Sequence, residues 1–287
     1  MDDKKYDEEL KKFIEKEFEK EKCLVAFLDI LGFTDIVKKY VNPTNPNDKK
    51  SLEDIKSALD KSLIALRDSP YSKYNIVKYK VFSDCTSFSV VEAHGSPLES
   101  SMFCLLMTLV KNYNIQLMTC NIYPRGGISA GVHYEDKNMI FSESLIKAYT
   151  LESKKALYPR TILDDNLVKR FKKLWKHQKG TISSHGTHKL IIVDEKGTAF
   201  VNPFNPIYST DKDHLESIRK SCKNVNEFNT NMKKINNTFN FSILNKVKIN
   251  IEDYQDNEEI LPKYEWLKEL INWNIDPKCS NKFKYLL

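Results

Sequence analysis

The sequence predicts an α+β fold, because segments with strand alternation are joined by tight turns and segments with helical periodicity lie between them, in the order βααββαβα. Two places carry most of that prediction. Cys23–Leu28 is a compact apolar run that ends at Asp29, turns at Gly32 and resumes at helical spacing over Phe33–Tyr40, which reads as strand, tight turn, helix. Asn75–Val91 alternates through Ile76, Val77, Tyr79, Val81, Phe82, Phe88 and Val90 and breaks at Ser83-Asp84, which reads as a hairpin with Asp84 at its turn.

The remaining elements follow in order. Residues 2–22 are densely charged, with Tyr6, Leu10, Phe13, Ile14 and Phe18 at helical spacing, and are expected to form an amphipathic helix laid on the body of the protein. Val41–Lys50, with two prolines and three asparagines, is a loop before a helix that places Leu52, Ile55, Leu59, Leu63 and Leu66 on one face. Met102–Tyr113 is a strongly apolar helix, Pro124–Gly131 opens a strand, and Ser142–Lys155 sets Leu145, Ala148, Tyr149 and Glu152 at helix spacing. The basic stretch from Lys169 around Phe171, Leu174 and Trp175 reads as a solvated amphipathic helix, its lysine stems lying along apolar surface. Leu190–Val193 and Ala199–Val201 form a late hairpin around Glu195-Lys196-Gly197, and Tyr264, Trp266, Leu267, Leu270, Ile271 and Trp273 mark a final helix.

Bulk properties exclude several classes. With 287 residues and 41% hydrophobic composition the chain can bury a full core. The net charge of +6 divides into +5 over residues 1–200 and +1 over 201–287, so there is no basic arm and no nucleic-acid partner is indicated. The longest apolar run, near Met102–Val110, is well short of the roughly 20 residues a membrane span needs. The charged N-terminus lacks the features of a signal peptide, and six cysteines without paired spacing suit a reducing compartment, so the expected location is cytoplasmic. His177, His185 and His188 match no familiar zinc spacing.

The chemistry concentrates at Asp29 and Asp84. A carboxylate ending an apolar strand is costly to bury unless a cation offsets its desolvation. The segment Ile30-Leu31-Gly32-Phe33-Thr34 leads straight into a helix, whose free N–H groups and positive dipole end accept phosphate. Alone, Asp29 could be a helix cap and Asp84 a turn residue. Paired strands would set them side by side, however, and two hard carboxylates next to an anion site suit Mg²⁺ or Mn²⁺.

These residues resemble a family. Phe27-Leu28-Asp29-Ile30-Leu31-Gly32-Phe33-Thr34 is similar to the Phe-x-Asp-Ile-x-Gly-Phe-Thr signature of class III nucleotidyl cyclases. Lys80-Val81-Phe82-Ser83-Asp84 resembles their Lys-x-x-Gly-Asp hairpin, with Ser83 in place of glycine, and Arg125-Gly126-Gly127-Ile128-Ser129-Ala130-Gly131 their Arg-x-Gly-Ile-x-x-Gly strand. The resemblance covers roughly residues 23–155. It implies a ferredoxin-like palm, a sheet with helices on one face that works as a homodimer. It further implies two Mn²⁺ or Mg²⁺ ions per site held by Asp29, Asp84 and the Ile30 carbonyl. Amides around Leu31, Gly32 and Phe33 would hold the β- and γ-phosphates, and Lys80 and Arg125 would meet base or phosphates across the dimer. On this reading residues 1–22 are an N-terminal helix, 23–165 the catalytic domain, and 166–287 a C-terminal helical and hairpin extension packed on it.

Four positions depart from the adenylate and guanylate members. Met139 stands in place of an adenine-reading Asp and Ser142 in place of a glycine, while Ile146 and Thr150 occupy the places of the transition-state Asn and Arg. Ala148-Tyr149-Thr150-Leu151-Glu152-Ser153-Lys154-Lys155-Ala156 with Tyr158-Pro159-Arg160, and the closing Lys263-Tyr264-x-Trp266-Leu267, resemble instead the bacterial Pycsar anti-phage cyclases. That group implies a pyrimidine substrate, UTP or CTP, and a cyclic product sensed by a separate effector protein.

Overall fold

The structure is a computed structural model that describes residues 22–46, 48–67, 76–96, 98–177, 189–204 and 212–286. The helix expected over residues 2–22 lies outside these, except for Lys22, as do His185 and His188. The fold is α+β, built on one mixed eight-stranded sheet.

The first strand, β1 (Cys23–Ile30), is buried along its length save for Asp29. Helix α1 (Phe33–Val41) follows, then a turn at Asp48–Lys50 and α2 (Ser51–Arg67). Strands β2 (Val77–Phe82) and β3 (Cys85–Val91) form the hairpin, and α3 (Glu99–Thr119) leads to β4 (Pro124–Gly131). A separate two-stranded ribbon, β5 (His133–Glu135) and β6 (Ile140–Ser142), precedes α4 (Glu143–Lys155), β7 (Thr161–Leu163) and α5 (Asp165–His177). The C-terminal part contributes β8 (Ile191–Asp194), β9 (Ala199–Val201), α6 (Lys212–Ser221), α7 (Val225–Asp253), α8 (Leu261–Ile275) and β10 (Phe283–Tyr285). Across the sheet the order is β10-β8-β9-β7-β4-β1-β3-β2, with β4 and β7 parallel and the other pairs antiparallel. The sheet therefore runs without a break through the boundary expected near residue 165.

Alternation along β1 sorts the layers. Leu24, Ala26, Leu28 and Ile30 enter a core with Met102, Leu106 and Val110 of α3 and with Leu163, Leu167 and Phe171. The opposite face is covered as well, by α4 and by helices of the C-terminal extension. Phe27 meets Tyr149 of α4 edge-on, with ring centroids 5.5 Å apart. Farther along that face Ile162, Ile192 and Phe200 pack with Ile243 and Val247 of α7 and with Leu267 and Ile271 of α8. Helices thus lie on both faces.

Two contacts fix the packing, one of α4 on β4 and one between β7 and β8. A Cβ on Gly127 would overlap the backbone carbonyl oxygen of Ala148, so α4 sits on β4 at a distance that only glycine permits, and one on Gly126 would overlap the carbonyl oxygen of Phe27 in the adjacent strand β1. Arg160, just before β7, pairs with Asp194 of β8 at 2.6 Å, both side chains being buried. Its guanidinium lies 5.3 Å from the ring centres of Tyr158 and Trp266 and 5.4 Å from that of Phe200. Among the described residues no helix is long and apolar enough to cross a membrane.

Gly127→Ala forces α4 away from β4 and is expected to cost about 3 kcal/mol, the range for an overpacked interior. A chemical-denaturation midpoint that did not fall would contradict the close seating of α4.

Candidate active site

Strand register brings the predicted carboxylates together. In the β1–β3 ladder Asp29 lies opposite Cys85, and in the β1–β4 ladder it lies opposite Arg125. Phe82 pairs with Cys85 across the hairpin, so Ser83 and Asp84 form a two-residue turn. Such a turn needs a left-handed residue. Ser83 supplies it at φ 54°, at the place where the similar motif has glycine. The N–H of Ile30 donates to the Asp84 carbonyl at 3.2 Å, fastening the turn to the end of β1. One ligand atom each from Asp29, Asp84 and Cys85 lie within 4.8 Å of one another, an arrangement that can hold a metal ion. The carboxylate oxygens suit a hard divalent cation, and Mg²⁺ or Mn²⁺ fits that donor set.

The turn after β1 presents amides beside these carboxylates. Gly32 has φ 70° and starts α1, and its carbonyl accepts from the N–H groups of Asp35 and Ile36. The Leu31 N–H donates to the Tyr123 carbonyl at 3.0 Å. Of the three amides expected to face phosphate, Leu31 is therefore engaged within the chain. Among the described residues the N–H groups of Gly32, Phe33 and Thr34 have no such acceptor.

The two basic candidates sit differently. Arg125 stands next to Asp29, whereas the Lys80 ammonium donates to the carbonyl of Asp136 at 2.6 Å and of Lys137 at 3.2 Å, in the loop between β5 and β6. Lys80 thus braces the ribbon and is not brought to the aspartates. Met139 and Ile146, at two of the departing positions, are exposed, and Thr150 Oγ1 donates to the Ile146 carbonyl within its own helix.

Glu152 is the residue that sequence reasoning missed. It extends from α4 with its side chain only 3% exposed, and its Oε1 is 2.6 Å from Arg125 Nε. The same Nε lies 3.2 Å from Asp29 Oδ2. One N–H cannot point at both. It is aligned with Asp29, which leaves Glu152 Oε1 buried without an aligned donor. The available signal was a carboxylate in the same helical stripe as Ala148, a stripe otherwise meant for burial.

Burial governs the electrostatics. It raises the Asp29 carboxyl above its ordinary range, against the opposing pull of Arg125 and with a further push from Asp84. Burial likewise raises Glu152 to about 6, where Arg125 opposes and the Asp29 and Asp84 charges add. Two carboxylates on one guanidinium, with Asp84 beside Asp29, leave a local excess of negative charge that a divalent cation would relieve.

No family model matches this sequence, and no curated protein does. Solved structures similar to this chain include the monomeric guanylyl cyclase domain of the RhoGC fusion protein from the aquatic fungus Blastocladiella emersonii, at TM-score 0.40 and 16% identity over 63% of this chain and 93% of that one. The guanylate cyclase domain of RhGC from Catenaria anguillulae, in complex with GTP, is similar at TM-score 0.38 and 17% identity over 63% and 96%. A class III adenylyl cyclase-like ATP-binding protein from Pseudomonas aeruginosa is similar at TM-score 0.35 and 16% identity over 56% and 37%.

The raised Glu152 has a consequence for stability. The folded state binds this proton more tightly than the unfolded chain does, so the stabilisation is full below the ordinary value of 4.5 and is lost as pH rises through about 6. Glu152→Gln removes the titration. Melting temperatures of the metal-free protein should fall between pH 4.5 and 6.5 more steeply for the native chain than for the variant; parallel curves would refute the assignment.

Proposed function

We propose that the chain is a nucleotidyl cyclase that converts UTP to 3′,5′-cyclic UMP and pyrophosphate, with residues 23–165 as its catalytic domain. The observation that carries this reading is the placement of Asp29 and Asp84 side by side at the start of α1, in the order of motifs that resembles class III cyclases. Asp29 and Asp84, with the Ile30 carbonyl, would hold two divalent ions, which would supply positive charge beside the 3′-hydroxyl and the triphosphate.

The chain's own residues do the rest. Amides of Gly32 and Phe33, joined by Thr34, accept the β- and γ-phosphates at the positive end of α1. Asp29 and Asp84 fix the site in which the ribose 3′-oxygen attacks the α-phosphorus in line with the departing pyrophosphate oxygen. Arg125, held by Asp29 and Glu152, offsets part of their charge.

Met139, Ile146 and Thr150 offer no carboxylate, amide or guanidinium where purine cyclases have them, which favours a pyrimidine. The Pycsar-like phrase favours a pyrimidine and a role in anti-phage defence with the product read by a separate effector; UTP is taken before CTP from the resemblance to that group, no residue being assigned to read O4 against N4. Tyr79, Phe82, Met139, Phe141, Ile146 and Tyr149 are exposed apolar residues, a surface suited to a second copy of the chain in a homodimer. A catalytically silent nucleotide-binding module is a second reading, favoured by the engagement of Arg125 with Asp29 and Glu152.

Incubation of the purified protein with each of the four ribonucleoside triphosphates and Mn²⁺, with products identified by mass, separates these readings. Cyclic UMP is expected, and cyclic CMP would transfer the assignment to CTP. Nucleotide binding without any cyclic product would establish the silent module and sink the enzyme. Asp84→Ala should lower the rate about 1000-fold, roughly 4 kcal/mol of transition-state stabilisation, while circular dichroism stays unchanged.

A further inference from the structure

Cys85 lies opposite Asp29 and directly follows Asp84, and the proposed reaction does not use it. Its Sγ is 3.5 Å from Asp84 Oδ1 and 3.9 Å from Asp29 Oδ1. A thiolate sulfur at about 2.3 Å and a carboxylate oxygen at about 2.1 Å from a tetrahedral Zn²⁺ would be about 3.6 Å apart. The two observed spacings bracket that value. Beside the cluster, Glu152, 3% exposed, has a buried oxygen that lies 2.6 Å from Arg125 Nε yet lacks an aligned donor, so the negative charge next to Asp29 is incompletely matched within the chain.

We propose that Asp29, Asp84 and Cys85 form a second mode of metal binding, selective for a thiophilic divalent cation such as Zn²⁺ or Cd²⁺, which withholds both carboxylates from the hard ions and arrests the site. The inference rests on reading Asp29 and Asp84 as a cation site. It does not require a particular nucleotide.

The selectivity follows from ligand softness. Mg²⁺ keeps oxygen ligands and an octahedral shell and does not recruit sulfur. Zn²⁺ and Cd²⁺ bind thiolate: the S–H bond breaks, its proton passes to solvent, and the sulfur lone pair forms the bond to the metal. No oxidant or reductant is involved.

Titration of the metal-free full chain with Cd²⁺ tests this. An ultraviolet sulfur-to-cadmium charge-transfer band should grow to one equivalent and vanish in both Cys85→Ser and Asp84→Asn; a band from any other cysteine would survive them. Cd²⁺ affinity should fall about tenfold or more in Cys85→Ser, the scale of a lost metal-site partner, and by much more than Mn²⁺ affinity measured by electron paramagnetic resonance. In the native chain, Cd²⁺ should protect Cys85 from iodoacetamide in peptide mass spectra, and Mg²⁺ should not. Equal alkylation with and without Cd²⁺, or unchanged Cd²⁺ affinity in Cys85→Ser, would overturn the proposal. Failure of Mn²⁺ to bind the native chain would overturn the cation site itself. Failure to make any cyclic nucleotide while the Cd²⁺ results hold would overturn only the catalytic reading.

Discussion

The far wall of the site depends on a close approach between helix and sheet. Gly127 of β4 carries no side chain, so the Ala148 carbonyl of α4 rests where a Cβ would otherwise stand. One turn later α4 delivers Glu152 to Arg125, and Arg125 lies opposite Asp29 in the ladder. A packing constraint is thereby converted into an electrostatic one. If α4 moved outward by the width of a methyl group, Glu152 would lose its hold on the guanidinium, and Asp29 would face Arg125 alone.

The near wall has a different origin. It is a matter of ladder register, which the two-residue turn at Ser83 and Asp84 sets and the Ile30–Asp84 backbone hydrogen bond secures. A slip of one residue would turn Asp29 into the core that Leu28 and Ile30 now fill, burying a carboxylate among apolar side chains, a cost that makes the register unambiguous. The site therefore lies where two independent determinants meet, helix seating on one side and hairpin register on the other.

Much of this was legible from local pattern. Asp29 stood out because a charge closes an otherwise apolar strand, and Asp84 because alternation breaks there; pairing of the strands then made the two neighbours. Other features were not legible because nothing local encodes a partner. Helical spacing indicated that Glu152 shares a stripe with Ala148 but not that the stripe faces Arg125. Lys80 was picked out by its motif, and nothing local shows that its ammonium also meets a carbonyl 56 residues away. The amide of Leu31 went to Tyr123, a contact made across the fold. The hairpin of β8 and β9 was legible, but Phe283–Tyr285, a strand of three residues, is too short to show periodicity, and nothing local encodes the joining of that hairpin to the main sheet.

Arg160 gives the resemblance in Tyr158-Pro159-Arg160 a physical meaning. The phrase contributes a buried cation enclosed by Tyr158, Phe200 and Trp266 and neutralised by Asp194, three elements of which belong to the C-terminal part. Such a group is tolerable only while all its neighbours are present. Positions 160, 194, 200 and 266 thus act as one joint: loss of any of the three partners strands the arginine, whereas substitutions at Asp29 or Asp84 leave the joint untouched.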